Sequence, residues 1–536
     1  PVPARRFFFD AKKGRFRYFP TAPFFVGMFG YHKVRTLQRG AFRFTLRKEI
    51  KKSGEDMTKL QLFSFIALVA YFAVLLFAVS KEKRNQNVLD YFFAGRSLPF
   101  WALSLTFIAS WWGAGSALST ADLAYEDGLG AFWYYGVPVL ISTFLMIVGA
   151  KAIRRVGFLT QGEMMQARYS KATAKGLSVL ILAFMTFSAA SQMVGIGDFF
   201  GTYLGLGYEW AVLLGTSIVL IYSIFGGFRG VVLTDIIQFV FLLCSALMVF
   251  FIAMKEAGGM GAIATVAAAN DKTDYMSMTA GAGKYMSFVI TFGCAWMIQA
   301  NVWQRISAAK NDTDARKMTM MSFFAYIPLY LIVVLTGMAG LVIFDTFPEG
   351  GVVTAITMQY MPPLLGSLVF VGISAAIMST MDSLINTGAM TLALDLYPEH
   401  HTEEERLRFS RVATIIVTLV ALVISLRVRS ILDVSWMATD IITTGAFVPL
   451  LAGFVWRRGN AKGALASMCA GCLYCSYNLL ISFGVALPSF WEQQSPLQAV
   501  MGVGLSVLVY VGVSLLTKPE YEKADAFMAL TKARNK

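Results

Sequence analysis

Residues 374–387 read SAAIMSTMDSLINT, a run of small, hydroxyl and amide residues with one aspartate inside an otherwise apolar block. Residues three or four apart lie on the same face of a helix. One face would therefore carry Ala376, Ser379, Thr380, Ser383 and Asn386. Hydroxyl and carbonyl oxygens with little net charge suit a hard monovalent cation. The alternative is that the hydroxyls bond their own helix backbone or pack against a neighbouring helix.

The composition of the whole chain is that of a membrane protein. Of its 536 residues, 57% are hydrophobic and 15% are charged, whereas about a quarter are charged in soluble domains. This composition excludes a soluble enzyme and a disordered protein. Apolar blocks long enough to cross about 30 Å of hydrocarbon recur along the chain, and lipid requires such spans to be helical. We expect an all-α polytopic protein with thirteen membrane helices, near residues 60–80, 98–121, 132–150, 176–197, 206–224, 236–254, 285–303, 319–344, 357–381, 409–426, 434–456, 464–485 and 496–517.

The distribution of basic residues predicts the orientation. Lys81, Lys83 and Arg84 directly follow the first predicted helix, and cytoplasmic loops are enriched in Lys and Arg. If the helices alternate in direction, the cytoplasmic segments hold 26 basic residues, and the outer segments after Met57 hold six. We therefore expect a multi-pass cell-membrane protein with its N-terminus outside and its C-terminus in the cytoplasm.

Residues 1–56 conflict with that orientation because they carry 14 Lys or Arg against 4 Asp or Glu. They show neither the apolar core of a signal peptide nor a sustained apolar period. We interpret this segment as a basic extension outside the working protein. Met57 would then be the start, because codons for residues 53–56 can contain a ribosome-binding sequence. A basic cytoplasmic tail on an inverted protein and an organelle transit peptide are the alternatives.

Sequence motifs for enzymatic chemistry are missing from the chain. There is no phosphate-binding lysine loop, dinucleotide fingerprint, nucleophile elbow or pair of zinc ligands. Cys469, Cys472 and Cys475 lie inside an apolar block without a fourth ligand, so we interpret them as helix-packing residues. We expect no enzyme, no cofactor and no nucleic-acid partner. The remaining classes are a secondary transporter and a channel, and the polar residues within the spans must decide between them.

Five motifs, taken in order, resemble the sodium:solute symporter family. They are GRSL at 95–98 with ASWWG at 109–113, FGGFR at 225–229 with TDIIQ at 234–238, QRISAAKN at 304–311, residues 375–382, and GFVWRR at 453–458. Each motif alone is weak, but their order and spacing cover roughly residues 60–480. The resemblance implies a sodium-coupled symporter that imports a small organic solute by alternating access. The alternative is a membrane sensor or channel-like protein on the same fold without coupled transport.

The resemblance also implies a LeuT-like core of two inverted five-helix repeats, each starting with a broken helix. We expect a protein that works as a monomer in the lipid bilayer. The expected parts are 57–97 (first helix and cytoplasmic loop), 98–456 (transport core), 457–517 (two further helices) and 518–536 (cytoplasmic tail).

A sodium site follows from the same resemblance, between the first and eighth core helices. The ligands would be the backbone carbonyls of Ala109, Trp112 and Ala376 and the side-chain oxygens of Ser379 and Thr380. This set agrees with the polar face of residues 374–387. No metal beyond sodium is expected.

Asp235 matches a family aspartate on the inward path of the ion. The alternative is a carboxylate that is favoured at the start of a helix by the positive end of the helix dipole.

The substrate site would lie between the unwound parts of the first and sixth core helices, where the sequence places Trp111, Trp296 and Gln299. Some features resemble choline-type members and others resemble pantothenate-type and amino-acid members. The substrate stays open among an amino acid, a monocarboxylate, a pantothenate-like acid and a quaternary amine. We interpret Trp133, Tyr134 and Tyr135 as an interfacial belt, and Arg154, Arg155, Arg229 and Arg305 as topology anchors.

Overall fold

The computed structural model describes residues 9–10, 15–16, 58–80, 87–397, 402–482, 484–492 and 494–532. Within these ranges the regular structure is helical, apart from two antiparallel strands of two residues each, β1 (Phe9–Asp10) and β2 (Arg15–Phe16). The predictions about Met57, the rest of segment 1–56 and the loop containing Lys81, Lys83 and Arg84 fall outside the described residues.

The first half of the chain forms one outlying helix and then a five-helix unit. The outlying helix α1 spans Lys59–Ser80, and a short helix α2, Val88–Phe93, follows it. The unit contains α3 (Phe100–Trp111), a π-helical turn (Gly115–Ser119), α4 (Thr120–Asp127), α5 (Phe132–Val156), α6 (Gln161–Arg168), α7 (Lys171–Leu204) and α8 (Tyr208–Glu256). Because α3 and α4 are joined only through the irregular segment between them, they form the two halves of one broken helix.

The second half repeats this plan and adds three helices. It contains α9 (Gly259–Ala269), α10 (Gly281–Lys284), α11 (Met286–Met297), α12 (Ala300–Ala308), α13 (Asp312–Ile343), α14 (Val352–Tyr360), α15 (Pro363–Met390) with a π-helical turn (Thr391–Leu396), α16 (Glu403–Arg427), α17 (Ile431–Gly445), α18 (Phe447–Val455), α19 (Ala461–Ser482), α20 (Pro496–Leu516) and α21 (Tyr521–Lys532). Here α11 and α12 are the halves of the second broken helix.

Helix α8 contains two spans. Its 49 residues would extend about 74 Å if straight, more than twice the hydrocarbon thickness. The helix is interrupted at Gly227, whose φ is 54°, a value that residues with a side chain seldom adopt. The two apolar halves are Tyr208–Ile224 and Gly226–Glu256.

The multi-pass all-α class is confirmed, but the count of thirteen stays a prediction. Among the described residues, ten helices are long and apolar enough to cross a membrane, and the pair α17 and α18, bent by 42°, raises this to eleven. The predicted spans 98–121 and 206–224 correspond to shorter apolar helices, α3 and Tyr208–Ile224.

Two predicted loop boundaries are wrong, and both matter for the site. The predicted spans leave residues 225–235 and 304–318 as cytoplasmic loops. The second half of α8 instead begins at Gly226, and α12 continues to Ala308. As a result, Asp235 and Arg305 lie inside helices and are fully buried.

Helix α15 lies at the centre of the molecule. Pro362 and Pro363 start it, as expected for a proline at the first helical position. Every residue from Val369 to Met390 is buried, so the run 374–387 faces other helices on all sides rather than lipid.

The last helix, α21, is held against the end of α18. The guanidinium of Arg457 donates two hydrogen bonds of 2.6 Å to the carboxylate of Asp525, and Phe527 packs on Phe454 with ring centroids 5.2 Å apart. The hydrogen bonds from Arg457 hold the pKa of the Asp525 carboxyl below its usual range.

Candidate functional site

The first helix break is capped by a side chain from α7. Helix α3 ends at Trp111, and the backbone N–H of Ala114 donates to Oε1 of Gln192 at 2.8 Å. A Cβ on Gly113 would lie 2.2 Å from that oxygen. A side chain at position 113 would therefore displace the amide of Gln192, and the broken helix expected at the start of the first repeat is confirmed.

Four of the five predicted sodium ligands lie together at this break. Ser379 Oγ donates to the carbonyl oxygens of Ala109 at 3.0 Å and Ala376 at 2.9 Å. Thr380 Oγ1 lies 3.3 Å from each of the same two carbonyls. We call these four atoms the oxygen cluster. It joins the end of α3 to the middle of α15 and contains two hydroxyls and two carbonyls with no formal charge.

The fifth predicted ligand, Trp112, lies beside the oxygen cluster. Its backbone N–H donates to Ala109 O at 3.2 Å, and its ring packs on Tyr330 with centroids 4.9 Å apart. Among the described residues, Ser379 and Thr380 donate to Ala109 and Ala376, not to the carbonyl of Trp112.

The second break separates α11 from α12. Ile298 and Gln299 lie between the two helices, and Gln299 has φ −65° and ψ 122° as the residue that caps α12. The amide of Gln161 donates to the carbonyl of Ile298 at 2.8 Å. This side-chain bond satisfies a backbone oxygen that the break leaves without a helical partner.

A cavity of about 50 Å³ lies between the two breaks. All three predicted pocket residues, Trp111, Trp296 and Gln299, line it. Its aromatic lining is Trp111, Tyr135, Phe292 and Trp296, and its polar lining is Ser110, Ser116, Ser188, Ser191, Gln192, Gln299, Thr380, Ser435 and Thr439. None of the described lining residues carries a formal charge.

The aromatic rings of the cavity contact one another. The ring centroids of Trp111 and Trp296 are 5.8 Å apart, and Phe292 stacks on Trp296 at 4.9 Å with a 10° angle between the planes. Within the described part of the chain, the buried Nε1 of Trp111 and Oε1 of Gln299 have no hydrogen-bond partner. One donor and one acceptor are therefore available to a solute.

Tyr135 and Gln192 are two of the cavity residues whose position was not predicted from the sequence. Tyr135 was interpreted as part of an interfacial belt, but it is buried and its ring lies 4.9 Å from that of Trp296, so this interpretation is wrong. Gln192 was not considered. It is an amide within an apolar membrane helix, and such residues are uncommon and often functional. That signal could have identified it.

Asp235 belongs to a buried polar cluster. Arg305 Nη2 lies 3.1 Å from Asp235 Oδ2 and donates to Ser383 Oγ at 2.7 Å. Thr106 donates to the same oxygen of Asp235 and accepts from Arg305 Nε at 3.1 Å. The side chains of Asp235 and Arg305 are both 0% exposed, so the interpretation of Arg305 as a topology anchor is wrong.

The helix-start explanation of Asp235 is also wrong. Asp235 lies eight residues after the interruption at Gly227, whereas the effect of the helix dipole is confined to the first turn. Its charge is compensated instead by the guanidinium of Arg305.

The other three arginines that we interpret as topology anchors lie near helix ends. Arg154 Nε donates to Ala309 O at 2.7 Å, Arg155 pairs with Asp312 at 2.7 Å, and Arg229 donates to Ala94 O at 3.1 Å.

Comparison with known proteins identifies the family. The model of the sodium:solute symporter family matches residues 91–471. A sodium/glucose cotransporter of Vibrio parahaemolyticus is 25% identical over 436 residues, which cover 73% of this chain and 80% of that protein. A sodium/pantothenate symporter of Haemophilus influenzae is 24% identical over 452 residues, which cover 80% and 91%.

A solved structure shares the fold. The substrate-bound, outward-open Na⁺-coupled sialic acid symporter superposes with a TM-score of 0.71 at 18% identity, over 85% of this chain and 98% of that one. The LeuT-like fold expected from the motifs is confirmed. From the match over residues 91–471, the chain belongs to the sodium:solute symporter family.

Proposed function

We propose that the chain is a sodium-coupled symporter that imports a small organic solute by alternating access. One observation carries this proposal: the oxygen cluster and the cavity share the break at the end of α3. Thr380 lies 3.3 Å from the carbonyls of Ala109 and Ala376 and also lines the cavity beside Trp111. A cation bound to the oxygen cluster would order the same backbone that forms one wall of the cavity, which couples the two sites.

The sodium ligands in this proposal are the five expected from the sequence. Ala109 and Ala376 supply carbonyls, Ser379 and Thr380 supply hydroxyls, and Trp112 supplies a carbonyl from the non-helical segment after α3. The helix break supports the carbonyls of Ala109 and Trp112 in this set, because it frees backbone oxygens that a continuous helix would use internally.

The substrate pocket in this proposal is the cavity that contains Trp111, Trp296 and Gln299. Its uncharged lining favours a small solute that is held by ring faces and by a few polar contacts. The relatives carry different solutes, a sugar and pantothenate, so they do not identify the solute of this chain.

Asp235 in this proposal lies on the inward path of the ion. Ser383 is one turn beyond Ser379 on α15 and binds Arg305 at 2.7 Å, and Arg305 in turn binds Asp235. A sodium ion that leaves the oxygen cluster along this face of α15 would next reach the ion pair of Asp235 and Arg305.

We also propose the remaining features expected from the sequence. The excess of basic residues on one side supports an outer N-terminus and a cytoplasmic C-terminus. The family match begins at residue 91. This start supports a transport core at 98–456, with 57–97 before it and with 457–517 and 518–536 after it. It also supports the placement of 1–56 outside the transport core. One chain forms both the oxygen cluster and the cavity, which supports function as a monomer.

The test removes both hydroxyls from the oxygen cluster. Purified protein with Ser379→Ala and Thr380→Val should need at least about tenfold more sodium for half-maximal binding of ²²Na⁺, because each lost hydrogen-bonding group costs roughly 1 kcal/mol or more. Ser374→Ala is the matched control. Ser374 is buried on the same helix, but its hydroxyl donates to Phe370 O at 2.6 Å, within α15 and away from the oxygen cluster.

Unchanged sodium affinity in a folded double variant would reject the ligand set. Uptake of a panel of small solutes by proteoliposomes, with and without a sodium gradient, tests the coupling. If solutes enter equally without sodium, or none enters, the chain is a channel-like protein or a sensor.

A further inference from the structure

At one end of the molecule, the cytoplasmic end in the proposed topology, two arginines join four core helices into two pairs. Arg154, near the end of α5, donates to the carbonyl of Ala309, directly after α12, at 2.7 Å. Arg168, at the end of α6, donates to the carbonyls of Gly453 in α18 at 3.0 Å and of Trp456 directly after it at 2.9 Å. We call these the α5–α12 pair and the α6–α18 pair.

The two pairs meet at a glycine. Helix α5 ends at Val156 and α6 begins at Gln161, so a segment of four residues connects them. Its first residue, Gly157, has a φ of 82°, a value that favours glycine. A few residues at the end of a helix can absorb a change in the direction of the chain. This segment is therefore a joint between the pairs.

Helix α21 spans the joint. It packs on α5 of one pair and on α6 and α18 of the other. Phe527 packs on Phe454 of α18, and Phe454 also contacts Trp303 of α12, with ring centroids 5.8 Å apart. Nζ of Lys523 donates to the carbonyl of Tyr169, directly after α6, at 3.0 Å. We call the packing of α21 on these helices the tail contact.

The cavity depends on the same two pairs. Tyr135 of α5 and Gln299, which caps α12, line it from one pair. Ser435 and Thr439 line it from α17, which bends into α18. A transporter cavity opens toward one side of the membrane when one group of helices moves against another. Separation of the two pairs at this end would open the cavity there, and the tail contact opposes that separation.

We propose that α21 is a latch that holds the two pairs together at the cytoplasmic end, and that its release allows the cavity to open inward. The latch rests on the alternating access in the proposed function. It stays tethered after release because Glu520, directly before α21, accepts a hydrogen bond from the backbone N–H of Ala461 at 3.2 Å.

The tail contact is suited to repeated opening and closing. The side chains of Arg457 and Asp525, which pair across it, are 58% and 51% exposed. Ion pairs this exposed are weak and are screened by salt. An isolated helix of 12 residues is marginally stable in water, and the buried residues of α21 are Ala524 and Phe527. Docking on the core therefore supplies most of the stability of α21.

The test measures how fast the cavity opens toward the side that carries α21. In a background without the native cysteines, Ser188→Cys places one thiol in the cavity wall. A small membrane-impermeant methanethiosulfonate is added to vesicles on the side from which Glu522→Cys is labelled, so the test does not depend on the orientation. Asp525→Asn should raise the labelling rate about threefold. Phe527→Ala, or deletion of residues 521–536, should raise it about tenfold.

Exchange of the two charges shows whether the pair itself acts. Arg457→Asp and Asp525→Arg should each raise the labelling rate, and the two changes together should return it toward the parental value. Glu522→Gln is the matched control, because Glu522 is exposed on the same helix and lies outside the pair of Arg457 and Asp525. This control should label at the parental rate. High salt should speed labelling of the parent but not of Asp525→Asn.

The results separate the latch from the proposed symport. Parental labelling rates in Asp525→Asn and Phe527→Ala overturn the latch and leave the symport intact. Slower labelling also overturns it, because α21 would then favour opening. If no variant and not the parent is labelled from this side, although the thiol reacts in detergent, both alternating access and the latch are overturned. The point variants decide the test if the deletion variant does not fold.

Discussion

Arg305 makes a buried carboxylate possible at position 235. Its guanidinium contacts Asp235, Thr106 and Ser383, and its Nη1 donates to Asn301 O at 2.9 Å. A buried ion pair with this many hydrogen bonds tolerates the loss of one partner poorly, because the other charge is left unpaired at a cost of about 3–5 kcal/mol. Asp235 and Arg305 therefore act as one unit.

Asp235→Asn should lower both stability and sodium-dependent turnover. The amide leaves the guanidinium without its counter-charge, so the thermal unfolding midpoint in detergent should fall. Adding Arg305→Gln removes the unpaired charge and should recover most of the midpoint, but not the turnover, because the negative charge on the proposed ion path is still missing. Parental uptake rates in Asp235→Asn would remove Asp235 from the path.

The grouping of residues could be predicted where the information is local. Ser379 and Thr380 lie together beside the carbonyl of Ala376, as expected, because a helical repeat places the three residues on one face. Arg305 was misassigned because a basic residue near a predicted helix end has the pattern of a topology anchor. Its true partner lies 70 residues away in the sequence, on a helix whose start, Gly226, lies ten residues before the predicted one.

At the scale of the element, the break after α3 depends on two glycines in its own sequence and on one side chain from another helix. The sequence predicts an interruption at Gly113 and Gly115. It does not show that Gln192 of α7 caps the freed N–H of Ala114, because that contact depends on how two helices pack. A count of spans by helix length is affected in the same way, since a broken or bent helix falls below the length that a crossing requires.

Gly113→Ala should disturb both sites at once. The new Cβ would lie 2.2 Å from Gln192 Oε1 and 3.0 Å from Thr380 Oγ1, and overpacking of this kind costs about 1–3 kcal/mol. The half-saturating ²²Na⁺ concentration should rise about tenfold. Gly293→Ala on α11 is the control, because its Cβ would meet nothing within 4 Å among the described residues. Equal sodium affinity in the two variants would show that the break tolerates a side chain.

At the scale of the whole molecule, the predicted orientation in the membrane rests on the distribution of basic residues. The segments assigned to the cytoplasm hold 26 basic residues against six outside, yet residues 1–56 add 14 at the end assigned to the outside. The contacts among the described residues are the same in either orientation, because turning the whole protein over in the membrane changes none of them. Loop charge alone therefore separates the two arrangements, and the rule that uses it applies to short loops near the membrane.

Cysteine labelling decides between these orientations. In a background whose five native cysteines are replaced by alanine, Asp274→Cys and Glu522→Cys each place one thiol at an exposed position on opposite sides of the proposed topology. A membrane-impermeant maleimide should label position 274 in intact cells and position 522 only after permeabilisation. Deletion of residues 1–56 should leave this pattern and sodium-dependent uptake unchanged, because we expect the segment to contribute neither a span nor a site residue. The opposite labelling pattern would make 1–56 a cytoplasmic basic tail and invert the whole protein.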